Sequence, residues 1–256
     1  MSGPFDLTGR RAIVTGANTG IGQGIAVSLA QAGAEVVAVG RSSMAETEAA
    51  IAAVGGRCIA HAADLSGMKA VDALVPDVWE RHGPVDILVN NAGIIRRSDA
   101  VDFSGEDWDA VMDLNVKAAF RLCQALARKA LAAGRPAKIV NIASVLAFQG
   151  GIRVASYTAS KHAIVGVTRL LANEWAGKGI NVNAIAPGYV VSNNTEALRA
   201  DADRSADILK RIPAGRWAGP RTSAAPPSIC RATRPAMSTA PCWRWMAAGW
   251  RGKGRT

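Results

Sequence analysis

Tyr157 and Lys161 stand four residues apart in YTASK, a spacing that on a helix places both side chains on one face. A phenol with a pKa of about 10 is a poor base at neutral pH, and a neighbouring ammonium favours its phenolate, drawing the pKa toward the working range. Ser144, thirteen residues upstream at the end of a predicted strand, can hydrogen-bond a carbonyl or alcohol oxygen. Asn115 can hold a water that continues a proton relay. A lone Tyr-x-x-x-Lys is ordinarily a surface pair; its place after Ser144, NNAG (90–93) and a glycine turn is what gives it chemical meaning.

That glycine turn reads TGANTGIGQG from Thr15. Gly16, Gly20 and Gly22 allow a tight turn, a close backbone approach and close helix packing, and the helix start behind them can face a pyrophosphate. The spacing is TGxxxGIG, distinct from GxGxxG. The next strand ends VAVGRS with no acidic residue to accept a ribose 2′-hydroxyl. Arg41 suits a 2′-phosphate instead, which favours NADP.

The elements that must position these groups alternate along the chain. Short β-branched runs predict strands at 11–16, 35–40, 57–65, 85–93, 137–144 and 180–188. Apolar residues at helical spacing predict helices at 20–33, 44–54, 68–82, 106–133 and 156–177, with Gly33 as a C-cap. This pattern predicts an α/β fold with a doubly wound parallel sheet, one domain over 1–218, and an irregular C-terminal tail. Residues 189–212 read as a lid over the substrate.

With these motifs in this order, residues 5–218 resemble the short-chain dehydrogenase/reductase family, whose fold is the Rossmann fold. The resemblance rests on TGANTGIG at 15–22, Asp64 after the third strand, NNAG at 90–93, Asn115, Ser144, YTASK at 157–161 and PG at 187–188. It implies an NAD(P)-dependent oxidoreductase acting on CH–OH groups, with Asn115, Ser144, Tyr157 and Lys161 as the catalytic tetrad. It implies cofactor contacts from Gly16, Asn18, Thr19, Gly20, Ile21, Gly22, Arg41, Asp64, Leu65, Asn90, Ala92, Gly93, Pro187, Gly188 and Val190, besides Tyr157 and Lys161. Asp64 would meet the adenine, Asn90 the adenine-ribose region, and Pro187–Gly188 the nicotinamide side.

The stretches NNAGIIRR and SVLAFQGGIRVASYTASK are similar to a subgroup of that family acting on deoxy-keto sugar acids of the 2-deoxy-D-gluconate type. Members of this subgroup are usually linked to NAD, so resemblance and Arg41 point to different cofactors. Related members acting on gluconate or on 3-oxoacyl chains are the alternative. A substrate carboxylate calls for a charge-assisted partner, for which Arg97 and Arg153 are candidates. Asn193 and Asn194 are candidates for hydroxyl contacts. The family further implies a cytoplasmic homotetramer.

Composition bounds the partners. In 256 residues, 49% are hydrophobic and 20% charged, which excludes a disordered chain. No apolar run reaches the ~20 residues of a membrane helix, and the start lacks the basic and apolar regions of a signal peptide. Cys58, Cys123, Cys230 and Cys242 read as free thiols, and His61, His82 and His162 as structural, with no metal site. The formal charge of +10 would suit a nucleic-acid partner. However, 219–256 carries Arg221, Arg231, Arg234, Arg244, Arg251, Lys253 and Arg255 and no acid, which leaves +3 for 1–218. An intact catalytic set also argues against a basic binding protein built on a Rossmann body, since binding alone needs none of it.

The tail breaks the alternation with Pro220, Pro226, Pro227, Pro235 and Pro241, where the fold should end in a helix and a strand. Single-codon residues permit a test of reading frame. Shifted by one base, Trp245–Met246 forces Asp, Met246–Ala247 forces Gly and Cys242–Trp243 forces Leu. With permitted codons elsewhere, 241–251 becomes VLAVDGGWLA, the ending the family would lead one to expect. A one-base frame change near Trp217–Gly219 is therefore expected, with loss of the last strand from the sheet edge.

Overall fold

The computed structural model describes residues 6–192, 195–219 and 242–243. The β-branched runs form six parallel strands: β1 (Arg11–Thr15), β2 (Glu35–Gly40), β3 (Arg57–Ala62), β4 (Ile87–Asn90), β5 (Ala137–Ile142) and β6 (Ile180–Ile185). A two-residue strand, β7 (Cys242–Trp243), pairs with Ala184 and Ile185 of β6. The sheet order is β3-β2-β1-β4-β5-β6-β7. The tail therefore leaves the β6 edge a short parallel neighbour, where the sequence led us to expect none. Cys242 falls in the segment that the shifted frame reads as VLAV.

Helices return the chain between strands: α1 (Gly20–Gln31), α2 (Ala45–Ala52), α3 (Met68–His82), α4 (Gly105–Met112), α5 (Ala119–Ala132) and α6 (Ala155–Trp175). They cover both faces of the sheet. Ile25 and Leu29 of α1 pack with Val14, Val36 and Val140 on one face. On the other, Leu74 of α3, Leu122 and Leu126 of α5 and Leu171 of α6 pack with Ile13, Leu88 and Ile139. Truncating a fully buried leucine such as Leu126 in such a layer costs about 2–5 kcal/mol.

Burial explains which strands read most plainly. The β1, β2 and β4 strands lie inside the sheet and are almost wholly buried, so their sequences are nearly continuous apolar runs. The β3 strand closes one edge and is largely exposed or half-buried, hence the polar Arg57 and His61 in it. The predicted helix 106–133 is continuous but not uniform. Asp113–Ala118 is a π-helical segment between α4 and α5, a local widening that frequently marks functional positions.

Beyond β6, residues 189–212 contain two short helices, α7 (Glu196–Ala200) and α8 (Ala202–Lys210). The base of this excursion is closed by Ala218, whose amide donates to the Tyr189 carbonyl at 3.0 Å while its own carbonyl accepts from Val191 at 2.8 Å. The Tyr189 and Trp217 rings meet edge to face with centroids 5.6 Å apart.

Candidate active site

Because β1 and β4 are neighbours whose connections leave in opposite directions, the sheet opens a crevice at its carboxyl ends, where ligands of open α/β sheets bind. The cleft there encloses about 350 Å³. Its walls include Ile21, Asn91, Gly93, Ser144, Tyr157, Lys161, Pro187, Gly188, Val190 and residues of α8.

On one wall, the β1–α1 turn is bolted to the turn after β4. Thr15 Oγ accepts from the amides of Asn91 and Ala92, each at 3.0 Å. Asn91 Nδ2 donates to the carbonyls of Thr15 and Gly16 at 2.9 and 3.0 Å. Gly16 has φ +63, and a Cβ there would stand 3.0 Å from Ala92 Cα. At Gly22 a Cβ would collide with the Gly16 carbonyl. The start of α1 has no side-chain cap and no acid in its first turn, so its amide groups suit an anion. This donor set fits a dinucleotide pyrophosphate.

Beyond α1, Asn18 Nδ2 donates to Ser42 Oγ at 2.8 Å, joining the glycine turn to the loop where Arg41 stands exposed. The Asp64 carboxyl is exposed and held below the usual carboxylate range, mainly by the Ser66 amide at 3.0 Å and also by the Arg41 charge. Thr19 is exposed at the start of α1 and Leu65 is buried behind the loop. The Asn90 side chain does not face the cleft. Asn90 is the last residue of β4 and its side chain points into the core, donating to Asn141 Oδ1 at 2.9 Å and to Cys123 Sγ at 3.1 Å. Asn91 reaches the cleft in its place, because successive strand side chains point to opposite faces.

On the other wall, Ser144 and Tyr157 both line the cleft, and Ser144 is near enough to lower the phenol's pKa. The Lys161 ammonium is buried and donates to the Ile142 carbonyl at 2.7 Å, 5.4 Å from the centre of the Tyr157 ring. Burial pushes the Tyr157 phenol up, against smaller lowering effects from Ser144 and the Arg97 charge. Burial also pulls Lys161 down to about 8. The sequence-based expectation that Lys161 lowers the phenol thus meets a different balance: the groups that pull it down are Ser144 and Arg97, and desolvation outweighs them.

Asn115 lies in the π-helical segment with both ends of its amide engaged. Its Oδ1 accepts from the Ile94 amide at 2.9 Å, and its Nδ2 donates to the Ile94 carbonyl and to Ser160 Oγ at 3.0 and 3.1 Å. Ser160 Oγ in turn donates to the Tyr157 carbonyl at 2.8 Å. The side chain therefore braces the loop after β4 against α6, a positioning role in addition to the water-holding one expected. A Cβ on Gly93 would come within 2.9 Å of Asn115 Oδ1, which accounts for the glycine of NNAG.

The two arginine candidates separate. Arg97 lines the cleft near Tyr157, and burial followed by the Arg204 charge lowers its pKa. Arg153 points away: its Nε pairs with Asp99 at 3.1 Å, its backbone has φ +62, and it is not on the cleft wall. Asn193 and Asn194 lie outside the described residues. Arg204 and Arg211 line the cleft although nothing in their spacing singled them out, since the lid's helical phase was not readable beforehand. Among the described residues no group of three His, Cys, Asp or Glu could hold a metal, and no helix is long and apolar enough to cross a membrane. Cys58 and Cys123 are free, and burial raises their thiols to about 11 and about 12.

Comparison with known proteins agrees with this geometry. The family model for short chain dehydrogenases matches residues 10–203. A 2-dehydro-3-deoxy-D-gluconate 5-dehydrogenase of Dickeya dadantii is 56% identical over 217 residues, covering 85% of this chain and 86% of that protein. A crystal structure from Agrobacterium tumefaciens, assigned as a 2-deoxy-D-gluconate 3-dehydrogenase with bound NADP, is 57% identical. It superposes with a TM-score of 0.84, covering 91% of this chain and 92% of that one. A gluconate 5-dehydrogenase of Burkholderia cenocepacia, in complex with NADP and tartrate, is 35% identical with a TM-score of 0.82, covering 91% of each chain. With its glycine turn, its Ser144–Tyr157–Lys161 cluster and these relatives, the chain belongs to the short-chain dehydrogenase family.

Proposed function

We propose that the chain is an NADP-linked dehydrogenase interconverting a secondary alcohol and a ketone in a deoxy-keto sugar acid of the 2-deoxy-D-gluconate or 2-dehydro-3-deoxy-D-gluconate type. The observation that carries this reading is the convergence of Ser144, Tyr157 and Lys161 in one cleft with Arg97 beside the phenol. The relatives' names support the sugar acid, and the 56% identity to one of them makes it the leading substrate class. Gluconate is the alternative substrate, favoured by the Burkholderia relative.

The nicotinamide cofactor, when bound, takes up or supplies a hydride at the reacting carbon. The protein's own groups handle the oxygen and its proton. Ser144 Oγ holds the substrate oxygen beside Tyr157, and the phenol exchanges a proton with that oxygen. The Lys161 ammonium, at about 8, sits close enough to neutrality to trade its proton, and its bond to Ile142 fixes its position. Gly16, Gly20 and Gly22 with the start of α1 would hold the pyrophosphate, Asp64 the adenine, and Pro187–Gly188 with Val190 the nicotinamide side. Arg41, with Ser42 tied to Asn18, would meet the 2′-phosphate.

Absorbance at 340 nm tests this reading, as NADP reduction with 2-deoxy-D-gluconate or gluconate and as NADPH oxidation with a 3-oxoacyl thioester. Turnover strongest on the deoxy acid supports it, and turnover confined to the thioester refutes it. Arg41→Gln should weaken NADP more than NAD; equal weakening would remove Arg41 from the 2′-phosphate site.

The same reading makes the enzyme a cytoplasmic homotetramer, which fractionation and light scattering test. For 219–256 we propose a one-base frame change near Trp217–Gly219. The stretch matched to the Dickeya relative, 217 residues, is about as long as the body that precedes the tail. Sequencing the coding DNA across codons 210–225 tests it: an extra or missing base supports the shift, and an unbroken frame with unrelated codons refutes it. The tail as written should then weaken subunit assembly, because its proline-broken sequence replaces the helix and strand expected there.

A further inference from the structure

The face that α8 turns into the cleft carries Arg204, Asp207, Ile208 and Arg211, the i, i+3, i+4, i+7 pattern of one helical stripe. Ile208 is buried and seats the helix. Asp207 is paired with Lys210 at 3.0 Å, so its charge is already answered from the helix itself. The backbone of Arg204 is fixed by the helix cap, its amide donating to Asp201 Oδ1 at 3.0 Å. The next residue, Ser205, accepts from Trp217 Nε1 at 3.4 Å, which ties the helix to the closed base of the lid.

The same cleft is lined by Arg97, on the loop after β4. Both arginines line this one cleft, and burial followed by the Arg204 charge lowers the Arg97 pKa. Arg153, the other cation near Arg97, is drawn off to Asp99. Two like charges brought to one cleft from separate elements are relieved when an anion lies between them. Planar guanidinium groups also match a carboxylate in two-pronged hydrogen bonds.

We propose that Arg97 and Arg204 form a two-sided clamp for the carboxylate of the substrate, which makes Arg204 a specificity-determining residue supplied by the lid. The clamp rests on the reading of the cleft as a sugar-acid site. Arg211 stands just past the end of α8, about 10 Å from Arg204 in axial rise. The clamp joins the loop after β4 to the lid through the substrate, so an acid closes the cleft more effectively than its uncharged analogue.

Steady-state kinetics of the full chain with NADP test the clamp, using 2-deoxy-D-gluconate and its uncharged amide. Arg204→Gln should raise KM for the acid at least tenfold with a smaller change in kcat. The ratio of kcat/KM for acid over amide should fall at least tenfold, and Arg204→Lys should recover part of it. A fall of equal size for acid and amide, or no change in KM for the acid, would overturn the clamp. Arg204 is exposed, so these variants keep the fold. A second measurement separates the clamp from the proposed activity: thermal protection by tartrate in the presence of NADP. Protection of the parent chain that disappears in Arg204→Gln upholds the clamp even if no sugar acid is turned over. Protection that persists in the variant, or is missing from the parent chain, overturns it.

Discussion

On the glycine-turn wall of the cleft, the short side chains of Thr15 and Asn91 tie backbone groups of Thr15, Gly16, Asn91 and Ala92 together, and the close approach depends on glycines. Elsewhere the cleft is lined by long ionisable side chains from distant segments: Arg97 after β4, Tyr157 and Lys161 on α6, and Arg204 on α8. The first wall is specified by local geometry. The second is specified by balances between burial and charge, so its groups tolerate replacement structurally but not chemically. The contrast separates shape from reactivity within one cleft.

Breaking the first wall should have the larger effect on the fold. A methyl at Gly22 would strike the Gly16 carbonyl, which is backbone and cannot swing aside. Gly22→Ala should therefore cost about 1–3 kcal/mol in urea unfolding. The same movement of the turn should weaken NADP binding by about tenfold or more, equivalent to ~1.4 kcal/mol. Cofactor fluorescence titration reads that change; unchanged affinity would mean the turn adapts.

A second, pH-dependent effect should follow from the charge buried in the second wall. Burial lowers Lys161 from 10.5 to about 8, whereas the unfolded chain keeps the ordinary value. Between those values the unfolded chain binds more protons, so this group makes stability rise with pH across that window. Below it the buried ammonium costs the most. In urea midpoints, the parent chain should gain on Lys161→Met as pH rises through the window. A difference that stays flat or narrows would contradict the desolvation balance.

The smallest effect is expected just outside the cleft. The Arg153–Asp99 pair is exposed on both sides, and such pairs contribute about 0.2–1 kcal/mol. Arg153→Ala should shift the melting temperature slightly and leave the KM for the sugar acid close to that of the parent chain. A rise in KM comparable to that of Arg204→Gln would move Arg153 into the clamp.

The same division explains what the sequence made legible. The glycine turn, NNAG and the alternating strands are local signals, and the observed elements begin and end near the expected bounds. At β2 and α3 the bounds coincide with the expected ones. What escaped depended on which way a side chain points. Asn90 and Asn91 are indistinguishable as letters, yet the period of the strand sends one to the core and the other to the cleft. Arg153, four residues before Tyr157, read as the better carboxylate partner than Arg97, yet its Nε pairs with Asp99 and it does not line the cleft. Arg204 and Arg211 carry no motif; only the phase of α8 reveals them. The π-helical widening that seats Asn115 likewise leaves no mark in a helical repeat.

The tail is the opposite case, where the proline-broken sequence pointed to no element at the sheet edge. Its Cys242–Trp243 strand supplies two residues to the β6 edge. The excess charge of the chain resides in this tail, and the cleft's own charge is the separate matter of Arg97, Arg204 and Arg211.

The central claim is that the Tyr157 hydroxyl carries the proton in alcohol–ketone interconversion on a sugar acid. Its most direct test is the initial rate of NADP reduction at 340 nm with 2-deoxy-D-gluconate, measured for the parent chain and for Tyr157→Phe. The account predicts turnover by the parent chain and a loss of about 10²–10⁴-fold in the variant, with NADP affinity retained. Turnover by Tyr157→Phe within a few-fold of the parent chain would contradict it.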